Sequence, residues 1–383
     1  MRRKKFLRSR QRKISGELSI AALRFQVRLA STPHILPDRD WRCEGTVPSS
    51  KWVYARRVML KAFSILVLNL LFCSALAGAQ GDPVGDKPFR RYVVAGRDGQ
   101  RITFYLSTQP APSHPVPLIV WVQGTGCSSQ FVRVGERMSR GLQGVLYSVA
   151  RGRARVLAVE KSGVEFLDDQ PDDGDARSCR PKFLAEYTLD RWATTIADAI
   201  QAAQKLPGVD ASKTLVIGHS EGGIIAMRVS NVSPVVTHAA SLSGGGPVYL
   251  FHMAEFMRSR GLDAEKEVYA CWSDILKDPD SATKFCWGQT YRQWSSFMKT
   301  SVIAEALKSN ALLYFAHGTA DTQQSIAGFD VLRAELAAKQ RDAVFKRIEG
   351  ADHALDLPNQ KVPEGLEAVF VRVVDWFLGG VTK

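Results

Sequence analysis

From Tyr92 onward, short β-branched runs alternate with longer stretches in which apolar residues recur every three or four positions. Tyr92-Val93-Val94-Ala95 and Ile102-Thr103-Phe104-Tyr105-Leu106 flank Arg97-Asp98-Gly99, a turn signal, and predict a hairpin after a Pro/Gly/Asp linker at 82–88. Four prolines from Pro110 to Pro117 make the next stretch a loop. Leu118-Ile119-Val120-Trp121-Val122 is apolar throughout, as expected of a strand covered on both faces of a parallel sheet. A helical stretch is expected to follow Gln123–Ser129 and run to about Ala150, and Val156-Leu157-Ala158-Val159 is the next buried strand. Leu189, Trp192, Ile196, Ile200 and Ala203 lie at helical spacing, and that helix stops at Pro207-Gly208. Further strands are predicted at 215–217, 235–242, 311–316 and 344–348, with a closing helix at 364–378. The alternation predicts an α/β fold with a mostly parallel sheet, and such sheets bind ligands at the carboxyl ends of their strands. Residues 247–310 do not fit that plan. They carry ten aromatics and are expected to form a helical cap. Its Trp272, Trp287 and Trp294 either line an apolar substrate pocket or pack on one another.

The net charge of +13 suggests a nucleic-acid or membrane partner, but its distribution along the chain says otherwise. Residues 1–79 hold 16 basic and 4 acidic side chains, and residues 80–383 hold 35 and 34. The globular part is near neutral, so no nucleic-acid partner is expected. Residues 1–58 are basic, without repeats, and broken by Pro33 and Pro37. They are expected to be disordered, or to lie upstream of a translation start at Met59. From Met59 the chain has the form of an export signal: Lys61, an apolar run from Ala62 to Leu76, and the small-x-small site Ala77-Gly78-Ala79. Residues 59–79 are therefore expected to be removed on export, or retained as an anchor with Arg56, Arg57 and Lys61 on the cytoplasmic side. Either outcome puts residues 80–383 outside the cytoplasm, periplasmic or secreted, with membrane contact only if 59–79 are retained. In the acidic run Asp168, Asp169, Asp172, Asp173 and Asp175, the following Arg177, Arg180 and Lys182 balance the charge. A solvated loop is expected there, and no metal or other cofactor.

The chemistry centres on Gly218-His219-Ser220-Glu221-Gly222. A β-branched run leads into it and a small-residue apolar run follows, which predicts strand, sharp turn and helix. A serine on such a turn stands above the sheet edge, over the N–H groups of the next helix. A serine hydroxyl needs a base, and the base needs a third group to fix its tautomer. His353 stands in a loop just after the last strand, and Asp321 follows the strand at 311–316 in the same way. The order is Ser220, Asp321, His353, with gaps of 101 and 32 residues. His219 is expected to be a packed neighbour, His317 to support the turn that presents Asp321, and Asp352 to be the rival acid. Lys161, at a strand's carboxyl end, is expected on the surface, with a substrate carboxylate as the alternative partner.

The elbow, the acid turn, the histidine loop and the strand order resemble the α/β-hydrolase superfamily over roughly residues 90–378. The resemblance implies an eight-stranded, mostly parallel sheet and a serine-hydrolase mechanism, without choosing between esterase-like and peptidase-like branches. It also implies an oxyanion hole from two backbone N–H groups, one on Glu221 and one on the loop after the third strand. Family members often have His-Gly in that loop. Here Gln123-Gly124-Thr125-Gly126 assigns the second donor to Thr125. Three functions follow: an exported serine hydrolase of carboxylic esters, a peptidase acting on short peptides, or a hydrolase-like fold used only for binding.

Of six cysteines, Cys43 and Cys73 precede the cleavage site, leaving Cys127, Cys179, Cys271 and Cys286. An even number in an exported domain predicts disulfides. Cys271 and Cys286 share the cap and are expected to pair, closing a loop that contributes about 3 kcal/mol in the chain-entropy model. Cys127 would then pair with Cys179 and tether the loop that carries Thr125.

Overall fold

The computed structural model describes residues 81–108, 114–169 and 175–379. The basic segment 1–58 and the export signal 59–79 lie outside the described residues. The apolar runs form one sheet of nine strands: β1 (Asp82–Pro83), β2 (Phe89–Ala95), β3 (Arg101–Ser107), β4 (Val116–Val122), β5 (Arg155–Val159), β6 (Val209–His219), β7 (His238–Leu242), β8 (Leu312–Gly318) and β9 (Val344–Ile348). Their order is β1-β2-β3-β5-β4-β6-β7-β8-β9. The first three pairings are antiparallel and the remaining five parallel. The eight expected strands are all present. The ninth, β1, comes from the stretch read as linker; its Pro83 has no amide to donate and sits on an edge strand, where that loss is tolerated.

Ten helices accompany the sheet among the described residues: α1 (Gly141–Ala150), α2 (Pro181–Glu186), α3 (Leu189–Ala203), α4 (Glu221–Val232), α5 (Tyr249–Ser259), α6 (Ala270–Lys277), α7 (Tyr291–Phe297), α8 (Val302–Lys308), α9 (Ile326–Ala338) and α10 (Glu364–Leu378). Strand β4 shows why its run is continuously apolar. Leu118, Val120 and Val122 face the core shared with α3, α4, α9 and the cap, while Ile119 and Trp121 face α1 and α10. Burying each such side chain contributes about 1.5–3 kcal/mol. Helix α1 begins later than expected. Arg133, Glu136 and Arg137 supply no apolar stripe, and the chain instead makes a small hairpin about Gly135, whose φ is 63°.

The insert is mainly helical, as expected. It holds α5, a π-helical turn at Glu265–Tyr269, α6, a two-residue-per-arm hairpin at 285–290 and α7. A bridge between Val248 and Ser301 ties its entry to its exit. Beyond the bridge, Glu305 of α8 accepts from Arg228 and Asn231 of α4, so this last part of the insert belongs to the helical layer. Both expected cysteine pairs stand at disulfide distance, Cys127 with Cys179 (Cα–Cα 6.0 Å) and Cys271 with Cys286 (6.7 Å). Among the described residues no helix is long and apolar enough to cross a membrane, and no cluster of three or more His, Cys, Asp or Glu side chains could hold a metal ion.

Candidate active site

Ser220 lies between the end of β6 and the start of α4, with φ 57° and ψ −128°, a backbone conformation costly for any residue with a side chain. Two hydrogen bonds hold it there, Ser220 N–H to Leu242 O (2.8 Å) and Gly223 N–H to Ser220 O (2.9 Å). The turn closes because its flanks are glycines. A Cβ on Gly218 would collide with the carbonyl of Gly222, and one on Gly222 with that of Val122.

Asp321 follows β8 by three residues. Its Oδ1 accepts the N–H groups of Gln323 and Gln324 at 2.8 and 2.9 Å, which leaves Oδ2 for His353. His353 donates from Nδ1 to that Oδ2 at 2.8 Å and turns Nε2 to Ser220 Oγ at 2.9 Å. The three residues singled out in the sequence are therefore in one hydrogen-bonded line. Gly318 lets β8 approach the histidine loop closely: a Cβ there would collide with the carbonyls of Ala351 and Asp352. Asp352 does not reach the histidine ring. Its Oδ1 accepts from Ala354 N–H and Asp356 N–H at 2.9 and 3.1 Å, shaping the loop that presents His353.

Two further histidines brace this side. His219 donates from Nε2 to the carbonyl of His353 at 2.7 Å, so it is a packed neighbour and also a support. His317 donates from Nε2 to Gln324 O at 2.8 Å, across the acid turn. Burial and the neighbouring His353 pull the His219 pKa down to about 4, and burial lowers that of His317. At pH 7 the His219 ring is therefore neutral, with its proton on the carbonyl-bound Nε2. Burial pushes the Asp321 carboxyl up, but the His353 hydrogen bond and charge, with the Gln324 amide, outweigh it and leave the pKa below 3.8.

The opposite side of Ser220 is the loop after β4. Gly124 packs against the elbow; a Cβ there would stand 3.6 Å from Ser220 Cβ. Glu221 opens α4, where a first-turn N–H has no intrahelical acceptor. Among the described residues neither the Thr125 N–H nor the Glu221 N–H has a hydrogen-bond partner, and Thr125 is exposed. Two free donors therefore flank the serine.

Lys161 is not on the surface, contrary to expectation. Its side chain is fully buried, because the loop after β4 folds over it. It donates to Gly124 O at 2.5 Å and to Gly126 O at 2.7 Å, and its Nζ is 3.7 Å from Glu221 Oε1. The Glu221 carboxylate also accepts from Tyr187 Oη at 2.5 Å, Thr125 Oγ1 at 3.4 Å and Gln293 Nε2 at 3.4 Å. Glu160 anchors the rest of the loop, accepting from Ser129 Oγ at 2.5 Å, the Gln130 amide and Tyr105 Oη at 2.6 Å. Burial pushes its carboxyl up to about 7. Tyr187, Gln293 and Glu160 carried no sequence signal: each is an ordinary residue whose burial depends on remote segments.

The cap tryptophans are engaged within the cap. Trp294 is buried, donates to Cys286 O at 2.6 Å and stacks on Tyr249. Trp287 donates to Glu267 O at 3.0 Å and meets Trp294 edge-on, and Trp272 is half-buried against the core.

Among the solved structures similar in fold are three peptidases. An acylaminoacyl peptidase of Pyrococcus horikoshii matches with a TM-score of 0.53 and 16% identity over 76% of this chain and 42% of its own. A dipeptidyl peptidase 4 of Porphyromonas gingivalis matches at 0.51 and 15%, over 77% of this chain and 36% of its own. A puromycin-hydrolyzing peptidase of Mycobacterium tuberculosis matches at 0.50 and 17%, over 76% and 39%. The chain thus spans about two-fifths of the length of these structures. No curated protein matches it. The model of the alpha/beta hydrolase family matches residues 119–369, which take in the elbow, the acid turn, the histidine loop and the cap. On that match and this fold, the chain belongs to the alpha/beta hydrolase family.

Proposed function

We propose that the protein is an exported serine hydrolase that cleaves a carboxylic ester through an acyl-enzyme. The unbroken line Asp321–His353–Ser220, with contacts of 2.8 and 2.9 Å, carries this reading. Ser220 Oγ attacks the ester carbonyl carbon and passes its proton to His353 Nε2. The carbonyl oxygen becomes an oxyanion that the Thr125 and Glu221 N–H groups receive. Asp321 holds the tautomer with the proton on Nδ1 and stabilises the imidazolium. The imidazolium then protonates the leaving alcohol, the tetrahedral intermediate collapses, and the acyl group stays on Ser220. Water repeats the sequence, giving its proton to His353 and releasing the acid. No step needs a cofactor, and no nucleic acid takes part.

A second reading, hydrolysis of short peptides by the same residues, is favoured by the peptidases similar in fold. Two experiments test these readings. A fluorophosphonate probe should label the wild type and not Ser220→Ala; folded wild-type protein that resists the probe would leave only the binding-protein reading. Turnover of p-nitrophenyl esters without turnover of aminoacyl arylamides supports the ester, and the reverse supports the peptide. Export rests on Lys61, the apolar run, Ala77-Gly78-Ala79 and the two cysteine pairs. Mature protein should begin near Gln80, and N-terminal sequencing reads this directly.

A further inference from the structure

A fully buried lysine is costly, and a serine-hydrolase mechanism has no step for one at position 161. Its contacts explain it. Two of the three ammonium N–H groups reach the carbonyls of Gly124 and Gly126, and the third side faces the Glu221 carboxylate and the Tyr187 ring, 4.9 Å from Nζ. The Gly124 carbonyl and the Thr125 N–H belong to the same planar peptide unit and point in opposite directions. Whatever fixes one fixes the other. The segment would otherwise be loose: Thr125 lies between two glycines, and Gly126 has φ 113°, a region that only glycine enters freely. A flip of the 124–125 peptide would turn a carbonyl, instead of an N–H, toward a developing oxyanion.

We propose that Lys161 is the positioning residue of the oxyanion hole: its ammonium clamps the Gly124 and Gly126 carbonyls so that the Thr125 N–H is set before substrate arrives. The inference rests on the serine-hydrolase reading above and adds a residue that touches neither substrate nor triad. The Glu221 carboxylate completes the clamp. It compensates the buried charge and takes the Thr125 hydroxyl at 3.4 Å, so both donor-bearing residues join one cluster. Burial lowers the Lys161 pKa while Glu221 and Glu160 resist the shift.

The test compares Lys161→Met, Glu221→Gln and the double variant with wild type. Lys161→Met alone leaves an uncompensated carboxylate and risks unfolding; the double variant replaces the ion pair with neutral groups, and Glu221→Gln is its reference. Loss of one oxyanion donor costs about 100- to 1000-fold in kcat. The double variant should therefore show kcat on a p-nitrophenyl ester about 100-fold below Glu221→Gln, with KM within about threefold. Its affinity for a trifluoromethyl ketone, which forms a tetrahedral adduct, should fall in parallel. A merely structural lysine predicts a lower Tm with no such split. A folded double variant with the kcat of Glu221→Gln would overturn the proposal while wild-type fluorophosphonate labelling still upheld the serine hydrolase. A wild type that fails to label would instead overturn the reading on which the proposal rests.

Discussion

On one side of Ser220, the groups that brace Asp321 and His353 from within are neutral: His219 on the His353 carbonyl, His317 on the Gln324 carbonyl, and backbone amides on Asp321, with the exposed Asp352 carboxylate shaping the histidine loop from outside. On the other side, the loop of Thr125 is held by the buried ionisable side chains Lys161, Glu221 and Glu160 and by the Cys127–Cys179 pair. The difference follows from what each side must hold. A histidine and an aspartate are side chains, and packing plus a few hydrogen bonds can orient them. The Thr125 N–H, the proposed oxyanion donor, is a backbone group in a glycine-rich turn with no regular structure to fix it, so the carbonyls of the turn must be gripped directly. Ammonium and carboxylate groups make the stronger hydrogen bonds for that purpose.

The largest effect should come from breaking the neutral side. Ser220→Ala and His353→Ala should each lower kcat by about 10⁴- to 10⁶-fold without changing Tm by more than a few degrees. Asp321→Asn should cost about 10⁴-fold through the wrong histidine tautomer. Activity assays with thermal melts on the same samples check both parts, and comparable losses of Tm would mean that the site is structural.

Next come the cysteine pairs, which separate loop from cap. Cys127→Ala with Cys179→Ala opens a loop with a sequence separation of 52, worth about 4 kcal/mol in the chain-entropy model, and should also lower kcat by releasing the Thr125 loop. Cys271→Ala with Cys286→Ala opens a separation of 15, worth about 3 kcal/mol, and should leave kcat at the wild-type level. Denaturant unfolding and steady-state kinetics distinguish the two, and equal kcat losses would merge the two regions into one.

The smallest effect is in the response to acid. Burial lowers His219, His238 and His252 to about 4, against an ordinary value near 6.5. Between those pH values the unfolded chain binds more protons on these rings, so stability is lost as pH falls. Glu160 acts in the opposite sense. Its folded pKa of about 7 lies above the ordinary carboxylate value, so its contribution is present at low pH and is lost as pH rises toward 7. Glu160→Gln should therefore steepen the decline of stability between pH 6.5 and 4.5, by up to about one bound proton. A wild-type slope at least as steep as the variant's would refute the opposition.

The hydrogen-bonded line of Asp321, His353 and Ser220 was legible because each member sits in a local pattern: Ser220 between strand and helix, Asp321 and His353 in the loops after apolar runs. The sheet was legible for the same reason, since its strands read as separate runs. Lys161 was not. Glu160-Lys161-Ser162-Gly163 looks like a polar strand end, and only the closure of residues 124–130 over it, more than thirty positions upstream, removes it from water. The late start of α1 is hidden because the polar stretch Arg133–Arg137, which lacks an apolar stripe, precedes the helix without a proline to mark the boundary. The two-residue β1 falls below what periodicity can register.

Gln293 belongs to the cap, yet its amide reaches the Glu221 carboxylate beside the Thr125 loop. Two more tethers cross the same seam, Ala176 N–H to Gly288 O and Leu189 N–H to Ser296 Oγ. An engineer who exchanged residues 249–300 for another lid, hoping to import a new specificity, would not be swapping an independent module. The graft would leave Glu221 one donor short in a place water does not reach, and the chimaera would pay in turnover before its new pocket was ever tried. A transplant that carries a glutamine or asparagine to the position of Gln293 is the one with a chance of keeping the old rate.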